Sequence, residues 1–220
     1  MSEKELKISV VTKDSPGVGH FAHAQLNGRV YLHGGVATSD SNSPKSALWQ
    51  FDPLAANWVK MNDDGPRLSH HAAFTAENRY LCFVGGWSGK ARVGTIYVFD
   101  TDEEHWLEEI VVKGFPIGGG LSSHTVTTTG KGALVIGRLG GLRTQRRTSA
   151  VLELKGTPTK GFTFNTLEIP VLSRSGHTLT CTKNGSCTIL GGRWDPHTGI
   201  DKETITIGAM KFQKSQASVA

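Results

Sequence analysis

Four histidine–glycine pairings recur along the chain at nearly constant intervals. His71 precedes the pair Gly85-Gly86 by fourteen residues, His177 precedes Gly191-Gly192 by fourteen, and His23 precedes Gly34-Gly35 by eleven. A weaker copy places His124 thirteen residues before Gly137, with Arg138 where the second glycine would stand. Between first glycines (34, 85, 137, 191) the spacings are 51, 52 and 54. Recurrence near a period of roughly 50 residues marks an array in which each unit buries an apolar face against its neighbour. In a chain of 220 residues such an array favours one continuous domain over two independent ones.

Within each unit, short alternating runs bounded by turn residues predict antiparallel strands, and helical periodicity is absent. In the second repeat the strands are A at His71 to Ala76, B at Tyr80 to Val84, C at Thr95 to Asp100 and D at His105 to Ile110. The first repeat matches with runs at 29–33, 48–52 and 58–61. The third keeps strand B at Ala133 to Ile136 and strand C at Ala150 to Leu154, with Phe162 or Phe164 in place of the strand D tryptophan. The fourth has strands A and B, a strand C at Glu203 to Ile207, and no recognisable strand D. Four strands per unit is the blade of an all-β propeller. The expected domain covers residues 1–209, with blades at about 20–62, 70–111, 122–168 and 175–209. Residues 210–220 read as a disordered tail. The count is three full blades and one incomplete, a truncated or incomplete propeller. Leu6 to Val11 could supply the last blade's outer strand and close the ring; otherwise the arc leaves two apolar blade ends open to self-association.

The glycine pairs, the strand-ending Phe51-Asp52 and Phe99-Asp100, and the following Trp58 and Trp106 together resemble kelch repeats. The first two copies match best, and the resemblance extends over residues 6–209. A narrower likeness to one member of that family rests on Gly120 to Thr125, Thr144 to Arg147 and Ser173 to His177. The resemblance implies a β-propeller that presents partners or substrates to larger assemblies, ubiquitin ligases among them, and it makes a cyclin a conceivable partner. No dimerising or adaptor domain of the kind found in ubiquitin-ligase kelch proteins is recognisable in this chain.

Packing chemistry agrees with that fold. Glycine is 27 of 220 residues, about 12% against an average near 7%. Pairs such as Gly34-Gly35, Gly85-Gly86 and Gly191-Gly192 at strand ends permit backbone angles and close approaches that a Cβ forbids. Trp58 and Trp106 supply the complementary bulk.

Catalytic and cofactor signals are poor. Equivalent imidazoles from His23, His71, His124 and His177 could converge on a central channel as metal ligands of a metal-dependent kelch-type enzyme. No carboxylate or cysteine accompanies all four, however, and tying strand A to the preceding blade explains their repetition better. Gly85 to Lys90 resembles a phosphate loop but has Val84 and Ala91 at two required positions. The glycines at 118–120 precede a strand rather than a helix. Tyr31, Tyr80 and Tyr97 occupy apolar strand positions as core residues. No cofactor and no enzyme activity is expected.

Cys82, Cys181 and Cys187 form neither a metal pattern nor a disulfide framework. A two-residue turn at Asn184-Gly185 would set Cys187 against Thr182 and leave Cys181 unbridged. With no apolar run long enough for a membrane helix, the expected location is cytoplasmic or nuclear, in a reducing compartment.

The sharpest functional expectation comes from charge, formally +5 over the whole chain. In a four-stranded meander, loops B–C and D–A emerge on one face. That face gathers Trp87, Lys90, Arg92, Arg143, Arg146, Arg147, Arg193 and Trp194 from B–C loops, and Arg67 and Arg174 from D–A loops. Asp40, Asp63, Asp64 and Asp195 offset part of the charge. Arginine and tryptophan are enriched in binding hot spots, so the face suits a protein partner with an acidic segment. Nucleic acid is the alternative, although no stretch interleaves basic and aromatic residues as a single-strand binder would.

Overall fold

The computed structural model describes residues 12, 14–38, 41–115, 120–129, 132–137, 150–167, 175–182, 186–193 and 205–207. These residues form strands, turns and loops, and among them no helix is long and apolar enough to cross a membrane. Blade I is a meander of β1 (Ala22–Leu26), β2 (Arg29–His33), β3 (Leu48–Asp52) and β4 (Asn57–Asn62). Blade II follows with β5 (Ala72–Ala76), β6 (Tyr80–Val84), β7 (Ile96–Asp100) and β8 (His105–Trp106). After β9 (Val112–Lys113), blade III comprises β10 (Thr125–Thr129), β11 (Gly132–Gly137), β12 (Ala150–Thr157) and β13 (Gly161–Leu167). Blade IV contributes β14 (Thr178–Cys181), β15 (Cys187–Leu190) and β16 (Ile205–Ile207). The all-β, four-stranded antiparallel architecture matches the expectation.

Local chemistry sets each meander. Asn27 and Gly28 both adopt positive φ (50° and 76°) in a two-residue turn that pairs Leu26 with Arg29, the left-handed geometry that matches strand twist. At the far end of β3, the Asp52 carboxylate accepts hydrogen bonds from the Leu54 and Ala55 amides and pairs with Arg29 at 2.7 Å. Asp100 repeats the device, receiving the Asp102 and Glu103 amides and the Arg79 guanidinium. This accounts for the aspartate that ends strand C in the first two repeats.

The core lies between blades rather than within one. Ala22, Leu26 and Tyr31 of blade I pack with Leu81, Phe83 and Phe99 of blade II. Cys82 and Val98 from the other face of blade II meet Val135, Leu152 and Phe162 of blade III, and Leu134, Ile136 and Val151 meet Cys187 and Ile189 of blade IV. A middle strand covered on both faces must be apolar throughout, and all five residues of β6 are buried. The first strands lie innermost, β1 against β5, β5 against β10 and β10 against β14.

Four expectations are corrected. Strand D of the second repeat does not run to Ile110: β8 ends at Trp106, and the chain leaves past exposed Glu108 and Glu109. Val112 and Lys113 then pair in parallel with Phe162 and Thr163, so β9 becomes a fifth, outer strand of blade III. Second, His23 is exposed within β1; the residue immediately before β1, in the register of His71 before β5, is Phe21. Third, Gly137 continues β11 in extended backbone, whereas the three glycine pairs have positive φ. Fourth, Cys181 and Cys187 are directly opposite and form a disulfide. Three residues (183–185) rather than two separate the Thr182–Ser186 hydrogen-bonded closure, and that one-residue change turns Cys187 toward Cys181. The argument for a reducing compartment loses that premise. The proposed strand at 6–11, the turn at 184–185 and the tail at 210–220 lie outside the described residues, and strand C of blade IV is described at 205–207.

Trp58 and Trp106 share one register, opposite Phe51 and Phe99 respectively. Their surroundings differ beyond that. Trp106 reaches into blade I, where its ring meets His33 at 5.1 Å and its Nε1–H donates to Asn62 at 2.9 Å, while Trp58 contacts the Phe51 ring. Trp106→Ala should therefore cost about 3–5 kcal/mol in urea unfolding, and Trp58→Ala at most half as much; equal losses would contradict this packing. Under denaturing, non-reducing conditions one cysteine, Cys82, should accept a thiol reagent, and after reduction all three, as read by intact mass.

Candidate partner-binding face

A belt of four left-handed residues organises the face. His20, His70, Ser123 and Gly176 each stand two residues before an inner strand with φ between 54° and 68°. Backbone hydrogen bonds join them in series: the His70 amide donates to the His20 carbonyl (2.8 Å), Ser123 to His70 (2.8 Å) and Gly176 to Ser123 (2.9 Å). The His20 and His70 rings stack at 4.0 Å. Just outside the belt, the residue after each glycine pair makes a two-way backbone bridge to a residue ahead of strand A: Val36 with Gly19, Trp87 with Ser69, Arg193 with Ser175.

The glycine pairs fasten one blade to the next. Gly34 donates within its own blade to the Ala47 carbonyl, and Gly35 donates to the Leu68 carbonyl on the entry to blade II. Gly85 and Gly86 repeat this with Thr95 and with Leu121 on the entry to blade III. A Cβ on Gly85 would lie 2.8 Å from the Leu121 carbonyl oxygen and 3.0 Å from the His124 ring, with φ at 60°. Two physical demands thus select glycine at one position: a left-handed backbone and a neighbouring chain too close for a side chain. Leu68 and Leu121, both essentially fully buried, belong to this junction and escaped the sequence reading. Their signal was a leucine three residues before His71 and before His124.

That two-way junction, repeated between β-meander sheets, agrees with comparisons to known proteins. Kelch domain-containing protein 9 of Homo sapiens is 36% identical over 156 residues, covering 70% of this chain and 45% of that protein. Its counterpart in Mus musculus is 34% identical over 191 residues, 78% of this chain and 55% of that one. A solved structure titled "Structure of YjhT" superposes with a TM-score of 0.61 over 80% of this chain and 60% of its own, at 18% identity, a likeness of fold. The fold is a kelch-type β-propeller. No family model matches the chain, which spans about half the length of the curated relatives it matches.

On the loop face of these kelch repeats the structure places part of the expected set. Trp87, half buried, donates its indole N–H to Asn42 at 2.7 Å, and Asn42 in turn donates to the Gly89 carbonyl, which ties the B–C loops of blades I and II together. The Arg92 guanidinium lies 6.0 Å from the Trp87 ring and donates to the Ser122 hydroxyl. Lys90 and Arg193 are exposed on the same side. Arg143, Arg146, Arg147, Arg174 and Trp194 lie outside the described residues. Two further cations, Lys45 and Lys60, join Arg67 around a cavity in blade I that the sequence reading did not single out. Lys60 and the Ser46 hydroxyl, both hydrogen-bonded to Asp63, hold its carboxylate below the ordinary range.

Three of the four repeat histidines sit at the blade junctions. His71 hydrogen-bonds the His33 ring of blade I at 2.9 Å, His177 the Thr125 hydroxyl of blade III at 2.8 Å, and His124 packs beside Gly85 of blade II. Among the described residues no group of three or more His, Cys, Asp or Glu side chains is arranged to hold a metal ion. Burial pushes His33 and His124 down to about 4 and His71 well below its usual value. An unfolded histidine titrates near 6.5, so below that pH the unfolded chain binds protons that the folded one refuses, and stability falls. The loss should be nil above pH 7, then grow by about 1.4 kcal/mol per pH unit for each of His33 and His124 down to roughly pH 4, with His71 adding in the same direction. A urea midpoint that stays level from pH 7.5 to 5 would contradict it.

Proposed function

We propose that this chain is a non-enzymatic protein-interaction module that binds an acidic segment of its partner through the B–C and D–A loop face. The kelch-domain relatives support protein interaction in general. The observation that carries the finer reading is the distribution of unspent positive charge. Arg29 and Arg79, away from the face, are committed to Asp52 and Asp100. On the face, the exposed side chains of Lys45, Arg67, Lys90 and Arg193 have no ion-pair partner among the described residues. Unpaired cations beside a braced tryptophan favour a negatively charged partner at little ordering cost, because the loops that carry them are already fixed.

The rival readings draw less support. A substrate-recognition role in a ubiquitin ligase is one use to which such a face could be put. A metal-dependent enzyme would need ligands beyond the junction histidines. Nucleic acid remains the electrostatic competitor.

Capture of binding proteins by the tagged chain tests the proposal, with a cyclin probed as one candidate partner. The double variant Lys90→Glu/Arg193→Glu should lose the captured proteins and keep its urea midpoint, since neither side chain supports the fold. Binding should also weaken as salt rises from 0.05 to about 0.3 M. An unchanged capture profile in the folded double variant would overturn the reading.

A further inference from the structure

Between the segment that leads into blade I and the loops around β2, β3 and β4 lies a cavity of about 400 Å³. Its walls include Gly17, Lys45, Trp49, Lys60, Asp63 and Arg67. The volume falls within the range of ligand-binding clefts. Asp63 is the one carboxylate among the lining residues; it is hydrogen-bonded by Lys60 and also feels the charge of Arg67. The Lys60 amine donates to Asp63 at 3.1 Å, and the buried Ser46 hydroxyl donates to the same carboxylate at 3.1 Å. Lys45 and Arg67 line the same space, exposed, with no carboxylate within ion-pair distance among the described residues. On one side the half-buried Trp49 ring forms an aromatic wall, with the Lys60 amine 5.3 Å from its centre.

We propose that this cavity seats an aspartate or glutamate side chain of the partner's acidic segment, with Lys45 and Arg67 as the cations that receive its carboxylate and Trp49 as the wall for an adjoining residue. The inference rests on the protein-interaction reading above and deepens it by assigning the anchoring site. Lys45 and Arg67 line one concavity with no ion-pair partner among the described residues, and the guanidinium of Arg67 can take a carboxylate through two parallel hydrogen bonds. Three lining cations against one lining carboxylate, Asp63, leave the cavity net positive. A carboxylate brings one charge and can keep to the side of Lys45 and Arg67.

Cavity and face can fail separately, so the experiment carries variants of each. Fluorescein-labelled hexaglutamate and hexaglutamine are titrated by anisotropy with the full chain, alongside labelled oligo-dT of twelve nucleotides. Hexaglutamate should bind and hexaglutamine should not. Lys45→Gln and Arg67→Gln should each weaken hexaglutamate binding about tenfold, the equivalent of roughly 1.4 kcal/mol. Lys90→Glu/Arg193→Glu should weaken it by less, through the long-range field alone. Asp63→Asn, which keeps an acceptor for Lys60 and Ser46, should tighten binding several-fold, a gain that no loss of folding could mimic. If the cavity variants bind like the parent while the Lys90/Arg193 variant does not, the cavity assignment fails and the face survives. If no variant changes the affinity, or if hexaglutamate does not bind, both fall. Oligo-dT binding more tightly than hexaglutamate would also overturn the proposal, in favour of nucleic acid.

Discussion

The hydrogen bond from the second glycine of a pair to the carbonyl three residues ahead of the next blade's histidine fixes how each sheet meets the one after it. Gly35 to Leu68 and Gly86 to Leu121 are the two described instances. Each forms only because consecutive left-handed glycines turn the chain end toward its neighbour and leave no Cβ in the gap. Once that contact is made, Leu68 and Leu121 are driven into the junction, His71 and His124 are brought against Gly34 and Gly85, and the belt from His20 to Gly176 is drawn into hydrogen-bonding distance. A buried amide or carbonyl left unpaired here would cost about 1–3 kcal/mol, so the junctions specify a single geometry as well as stabilising it.

The same junctions explain why the face can act as a platform. Loops on most proteins are mobile because their backbone groups bond to water. In this chain the B–C loop of blade I is held to that of blade II through Asn42, Trp87 and Gly89, and the residue behind each glycine pair is bridged to a strand entry. Lys45, Arg67, Lys90 and Arg193 on that frame make no ion pair among the described residues, whereas Arg29 and Arg79 are committed to Asp52 and Asp100. The histidines take the reverse role. Buried between blades and disfavoured as cations, they give the junctions a dependence on pH.

Much of the fold was legible because its parts are local. The apolar runs Tyr80 to Val84 and Ile96 to Phe99, the Asn27-Gly28 turn and the aspartate after Phe51 and Phe99 depend on neighbours within one blade. Apart from the local register of the Cys181–Cys187 hairpin, misreadings arose where a neighbouring blade intervened. His23 carried the right residue type in the wrong register, and Phe21, the actual counterpart of His71, bears no resemblance to it chemically. Strand D was read as running past Trp106 to Ile110, yet Ile110 and Val112 pack against the core shared with blade III. For the candidate site, Trp87, Lys90, Arg92 and Arg193 could be sorted to one face from loop order. Lys45, Lys60 and Arg67 enclose a cavity only through the folding of β3, β4 and the incoming segment together.

By itself the sequence determined the repeat, the strand content and the side of each sheet on which loops emerge, since these follow from spacing, alternation and the conformational freedom of glycine. Tertiary structure alone decided which histidine occupies which junction, that Cys181 meets Cys187, and which cations remain without a carboxylate. The physical reason is range. Backbone preference acts over a few residues, whereas burial and charge pairing depend on whatever lies across a junction some fifty residues away in the chain; the cysteine pair, six residues apart, was set instead by the register of its hairpin.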